Sequence, residues 1–94
     1  MARETKWLKV AEKEFSKLFP KVRERIRDDI DALEKDPTPQ DAIQIKNVAK
    51  KLFRLHAGPK NDYVVVYIIH PKANEIISVQ HRSKIYRTLS RRKF

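Results

Sequence analysis

Seven consecutive residues, Tyr63-Val64-Val65-Val66-Tyr67-Ile68-Ile69, are all β-branched or aromatic. Crowding at Cβ favours pleated backbone over helix. An apolar run without polar alternation leaves no side for water, so it reads as a central strand covered on much of both faces. At seven residues it falls far short of the roughly 18 or more needed to span a bilayer. Such a strand needs partners, and its flanks supply them. Upstream, Leu52-Phe53-Arg54-Leu55-His56-Ala57 alternates, with Phe53, Leu55 and Ala57 on one face and Arg54 and His56 on the other. Gly58-Pro59-Lys60-Asn61-Asp62 is the turn between them. Downstream, Pro71-Lys72-Ala73-Asn74 turns the chain into a third strand, Glu75-Ile76-Ile77-Ser78-Val79-Gln80. Connections this short imply an antiparallel meander.

The first half follows a different period. Ala11, Phe15, Leu18 and Phe19 recur at helical steps, and Pro20 suits the first turn of a new helix. Val22, Ile26, Ile30 and Leu33 then form an apolar stripe, with Arg23, Glu24, Arg27, Asp28, Asp31 and Glu34 opposite. Asp36-Pro37-Thr38-Pro39 ends that helix. Residues 40–50 read as a connector whose Ile43, Ile45 and Val48 tuck back onto the core, and Lys6–Val10 as an edge strand. Ser83 is placed to cap a last segment holding Ile85, Tyr86 and Leu89. The expected fold is therefore one α+β domain over residues 1–94. An N-terminal helical hairpin packs on one face of a small twisted antiparallel sheet, the other face is open and basic, and a short C-terminal helix or tail follows.

Charge sharpens what the open face is for. The chain carries 22 Lys/Arg against 12 Asp/Glu, a formal +10. Residues 1–47 hold a net +1 and residues 48–94 a net +9, with Asp62 and Glu75 the sole acids of that half. A field so little neutralised suits an anionic partner, nucleic acid foremost. A membrane surface is not expected, because the cations line no long amphipathic helix. With one glycine there is no phosphate-cradling loop. With no cysteine there is no thiolate ligand or thiol nucleophile, and His56, His70 and His81 do not cluster, so neither metal nor cofactor is expected. No secretory signal is read, and a cytoplasmic protein is expected.

The residues able to do chemistry are Arg54 and His56 on one strand, His81 and Arg82 where the third meander strand ends, and Tyr86 just beyond. Lys51, Lys60, Lys84 and Arg87 surround them, and Arg91 and Arg92 extend the basic surface. Asp62 and Glu75 sit at opposite turns, so paired-carboxylate and two-metal chemistry are excluded. The set suits metal-free cleavage of RNA, in which the 2′-hydroxyl attacks the adjacent phosphate. Imidazole can move the protons at neutral pH. Guanidinium binds phosphate bidentately and keeps its charge. A tyrosine can stack on a base.

These residues resemble the RelE/ParE superfamily of toxins from type II toxin–antitoxin systems. The likeness runs from Trp7-Leu8-Lys9-Val10 through Leu33-Glu34-Lys35-Asp36-Pro37 and Leu52-Phe53-Arg54-Leu55-His56-Ala57-Gly58. It closes on Val79-Gln80-His81-Arg82-Ser83-Lys84-Ile85-Tyr86, whose His-Arg-x-x-x-Tyr pattern is the most specific part. The resemblance implies a fold like that of small microbial ribonucleases. It also implies a ribosome-dependent mRNA endoribonuclease that inhibits translation, neutralised by a cognate antitoxin. By position, Arg54 and His56 fall on two basic strand residues that support proton transfer. Arg82 falls on an arginine at the scissile phosphate, Tyr86 on a base-stacking tyrosine, and His81 on a common histidine of the family. Val64 stands where the family usually has another arginine. That departure keeps two alternatives open: a ParE-like inhibitor of DNA gyrase, or a weakly active or inactive RNA-binding relative.

Overall fold

The computed structural model describes residues 3–45 and 52–91. The chain runs β1 (Glu4–Trp7), α1 (Lys9–Ser16), α2 (Pro20–Ala32), β2 (Ile43–Ile45), β3 (Leu52–Ala57), a 3₁₀ turn (Pro59–Asn61), β4 (Tyr63–Ile69), β5 (Ala73–His81) and α3 (Arg82–Arg91). The five strands form one sheet in the order β1-β5-β4-β3-β2. The α+β class and the β3-β4-β5 meander are as expected, and β4 is central. The sheet, however, is mixed rather than antiparallel. Glu4–Trp7 lies parallel to Ala73–Ile76, and the Leu8 N–H closes that ladder on the Ile76 carbonyl at 3.1 Å before the chain turns into α1.

β4 explains the layering. Alternate residues leave it on opposite sides. On one side Val65 and Tyr67 pack with Leu55, Ala57, Ile76 and Val79 against Ala11 and Phe15 of α1 and Ile26, Ile30 and Leu33 of the α2 region. On the other, Val64, Val66 and Ile68 join Leu52, Ile77 and Ile85 of α3, with Ile45 and Leu89 partly covering them. The second face is therefore not the open basic surface expected: α3 covers it, because three wholly apolar β4 side chains there need shelter. The connector also differs. Ile43–Ile45 is a short strand paired antiparallel to Leu52–Arg54. Ile45 is half-buried but Ile43 is exposed, since among the described residues no further strand lies beyond β2. Val48 lies outside the described residues.

Three polar contacts tie the layers. Asn74, fully buried, donates from Nδ2 to the Leu33 carbonyl at 2.8 Å, satisfying an orphan acceptor at the end of α2. The Gly58 N–H donates to Asp29 Oδ2 at 2.9 Å. At the β5 edge beyond β1, the Glu14 carboxylate accepts from Ser78 Oγ at 2.9 Å, from the Val79 N–H at 3.1 Å and from Gln80 Nε2. Gln80 Oε1 in turn accepts from Thr88 Oγ1 of α3 at 2.5 Å. One carboxylate thus closes a strand edge and links α1, through Gln80, to the helix on the other face. β5 carries a bulge opposite Val66/Tyr67: Val66 pairs with Ser78 and Tyr67 with Ile76, leaving Ile77 the extra residue.

Gly58 has φ 78° and ψ −175°, a conformation essentially reserved for glycine. A Cβ there would sit 3.1 Å from Ile26 Cγ1 and 3.2 Å from Tyr63 Cδ1. Gly58→Ala is expected to lower unfolding stability by roughly 1–3 kcal/mol, read by urea denaturation. Tyr67 is buried, stacks on Phe53 and donates its hydroxyl to the Pro37 carbonyl at 2.7 Å. Burial, then the nearby Asp36 charge, push its hydroxyl from 10.0 up to about 12. The folded value lies above the unfolded one, so this contribution is complete below about pH 10 and is lost as pH rises towards about 12. Tyr67→Phe should cost about 1 kcal/mol at neutral pH for the lost hydrogen bond. It should also flatten the alkaline fall in stability measured between pH 9 and pH 11.5.

Candidate functional site

β3 turns Arg54 and His56 towards the α3 side, because they pair with Val66 and Val64 of the layer that α3 covers. Arg54 is half-buried and His56 exposed. Arg54 Nη1 lies 3.3 Å from His56 Nε2. A guanidinium only donates, so Nε2 is the acceptor and the neutral ring carries its proton on Nδ1. Arg54 also lines a groove of about 520 Å³ with Ile43, Gln44 and Ile45 of β2 and Tyr86, Leu89 and Ser90 of α3. Tyr86, 55% exposed, thus meets Arg54 across one hollow.

Arg82 stands one helical turn before Tyr86, on the same side of α3. Its backbone N–H donates to the Asp62 carbonyl at 2.8 Å, and its Nε lies 3.6 Å from Asp62 Oδ1. That ion pair is long and the Arg82 side chain 63% exposed, so the guanidinium remains available to a ligand. β4 separates His56 from Gln80 of β5 by two strand spacings, roughly 10 Å, and Arg82 lies two residues beyond Gln80. Between them Val64 is fully buried in the apolar layer with Ile85, where it closes the core and contributes no cation.

His81 does not join this group. It pairs with Tyr63, whose side chain belongs to the hairpin side, and meets that ring edge-on at 5.3 Å between centroids. Its Nδ1 lies 2.9 Å from Ser83 Oγ and accepts the Ser83 N–H at 3.2 Å. The cap of α3 is therefore His81 rather than Ser83, because Ser83 already lies within the first helical turn. Lys84 lines the same hollow as His81, away from the Arg54 groove. Lys60 is exposed at the β3–β4 turn with φ 57°, and Arg87 and Arg91 are exposed on α3. Lys51 and Arg92 lie outside the described residues. The sequence reading missed Gln44 and Ser90 as groove residues and Asp62 as the partner of Arg82. The apolar-polar-apolar pattern of Ile43-Gln44-Ile45 was the available signal for the first.

Among the described residues no group of three or more His, Asp or Glu could hold a metal, and no helix is long and apolar enough to cross a membrane. The family model for the ParE toxin of the type II toxin–antitoxin system parDE matches residues 5–86. The chain belongs to this family. The ParE-family toxin has a fold similar to RelE in the archaeal RelE–RelB complex from Pyrococcus horikoshii OT3. The two are 26% identical with a TM-score of 0.71, over 89% of this chain and 99% of that one. The isolated E. coli RelE toxin gives 22% identity and a TM-score of 0.70, over 95% of this chain and 96% of that one. The toxin of the RelB–RelE complex from Methanococcus jannaschii gives 19% and 0.66, over 88% and 96%. No curated protein matches the sequence significantly. The toxin thus lies within the RelE/ParE superfamily and shares the RelE fold.

The cap makes His81 a structural residue of α3. His81→Ala should destabilise the toxin by about 1–2 kcal/mol in chemical denaturation, and His81→Asn, which can still accept the Ser83 N–H, should recover about 1 kcal/mol of that.

Proposed function

We propose that this toxin is a ribosome-dependent mRNA endoribonuclease that stops translation, working without metal on ribosome-bound message. The observation that carries the reading is the single groove shared by Arg54 and Tyr86, with His56 in contact with Arg54. A phosphate entering there meets a half-buried guanidinium that offers two parallel hydrogen bonds. Drawing Arg54 onto the phosphate takes it off His56 Nε2. The freed lone pair can then accept the proton of the 2′-hydroxyl as its oxygen bonds to phosphorus and the P–O5′ bond breaks, leaving a 2′,3′-cyclic phosphate and a 5′-oxygen that takes a proton from water. In this reading Arg82 balances charge on the phosphoryl oxygens, and the exposed Tyr86 ring stacks on the neighbouring base. Family membership and likeness to toxins solved with RelB antitoxins support a cognate antitoxin as partner.

The competing activity is inhibition of DNA gyrase. It draws on the ParE family match and on Val64, which brings no cation to the centre of the set. Induction followed by primer extension on cellular message separates the two. Cuts within translated codons are expected from the wild type. Losses of roughly 10²–10³-fold in cleavage rate are expected for Arg54→Ala and Arg82→Ala, each removing a charge stabiliser. Intact message together with DNA breaks and filamentation would replace this reading with the gyrase one.

A further inference from the structure

A second basic hollow lies at the opposite side of the α3 start. About 420 Å³ in volume, it is lined by Lys17 and Leu18 at the end of α1, by Tyr63 and Val79, by His81, and by Lys84 of α3, with Glu14 and Gln80 at its wall. Its acid is engaged: the Glu14 carboxylate accepts from Ser78, Val79 and Gln80. Its cations are not, since among the described residues neither Lys17 nor Lys84 is in an ion pair. His81 adds a donor. Its Nδ1 accepts a backbone N–H, so the neutral ring holds its proton on Nε2. The first turn of α3 contains no acid and two cations, Arg82 and Lys84, at the positive end of the helix dipole. Folding alone disfavours that placement, and a bound anion offsets it.

We propose that this hollow is a second RNA subsite, holding a backbone phosphate of the bound RNA through Lys17, Lys84 and the Nε2–H of His81. The inference rests on the RNA-directed reading above and extends it. Arg54 and His56 face the other side of the sheet, so the RNA engaged there passes the start of α3, over Arg82, before reaching Lys84. The Arg54 groove meets the reacting phosphate, and this hollow sets the register of the strand without touching the reacting atoms.

The test is equilibrium binding of a single-stranded RNA oligonucleotide to the full chain across a salt series. The wild type is compared with Lys17→Gln/Lys84→Gln and with Lys35→Gln/Lys72→Gln, exposed lysines at the far end of the sheet. For single strands each phosphate contact contributes about 0.7 to the slope of log affinity against log salt. Loss of both hollow lysines, and with them this one phosphate contact, should lower that slope by roughly 0.7 and weaken binding roughly 4-fold near physiological salt. The far-end pair should leave both quantities nearly unchanged. If the oligonucleotide binds and ribosome-bound message is cut but the two double variants behave alike, the subsite is overturned and the endoribonuclease reading survives. If the wild type neither binds the oligonucleotide nor cuts ribosome-bound message, both fall together.

Discussion

β4 has no polar side chain from Tyr63 to Ile69 except the two tyrosine hydroxyls, and its middle five residues are buried. Everything else in the toxin follows from covering it twice. A strand apolar on one face needs one layer; this one needs two. The helical hairpin supplies the first and α3 the second, though α3 has just ten residues. Since α3 must lie over Val64, Val66 and Ile77, its first turn falls at the end of β5, which puts Arg82 beside Asp62 and Tyr86 beside Arg54. The positions of the chemistry-bearing side chains are thus by-products of sheltering valine and isoleucine.

The two layers do not act independently. β1 accompanies β5 only as far as Ile76, and the rest of β5 would otherwise present an unpaired edge. α1 covers it, and Glu14 takes the Val79 N–H that no described strand claims. Through Gln80 and Thr88 the same carboxylate holds α3 in place. A buried polar network in which every member has partners confers rigidity at little cost, whereas one broken member leaves the others unpaired. The helix bearing Tyr86 is therefore oriented by a residue on a helix 72 positions earlier in the chain.

The sequence carried the class, the meander and the hairpin, because each rests on local periodicity: the run at 63–69, the alternation at 52–57, the stripe Val22, Ile26, Ile30 and Leu33. It did not carry the parallel pairing of β1. Four residues with two charges hold no record of which edge they join, and that edge lies nearly 70 residues away. It concealed the role of α3, because covering a sheet takes only Ile85 and Leu89, a signal any short helix could bear. Strand alternation and a short loop order are enough to bring Arg54, His56 and Tyr86 to one side of the sheet. The end of the third meander strand locates Arg82, but no local pattern marks Asp62, in a turn about 20 residues earlier, as its partner.

His81 is the instructive case, and the bulge accounts for it. If Ile77 were paired instead of bulged out, the pairing Tyr67–Ile76 would continue as Val66–Ile77 and end with His81 opposite Asp62, on the side of Arg54 and His56. One inserted residue shifts the strand by half a pleat, so every side chain from Ser78 onward changes sides. The bulge therefore works as a phase switch within a single strand. It divides His56 and His81 between the two surfaces of the sheet, giving one to the Arg54 side and the other to the start of α3.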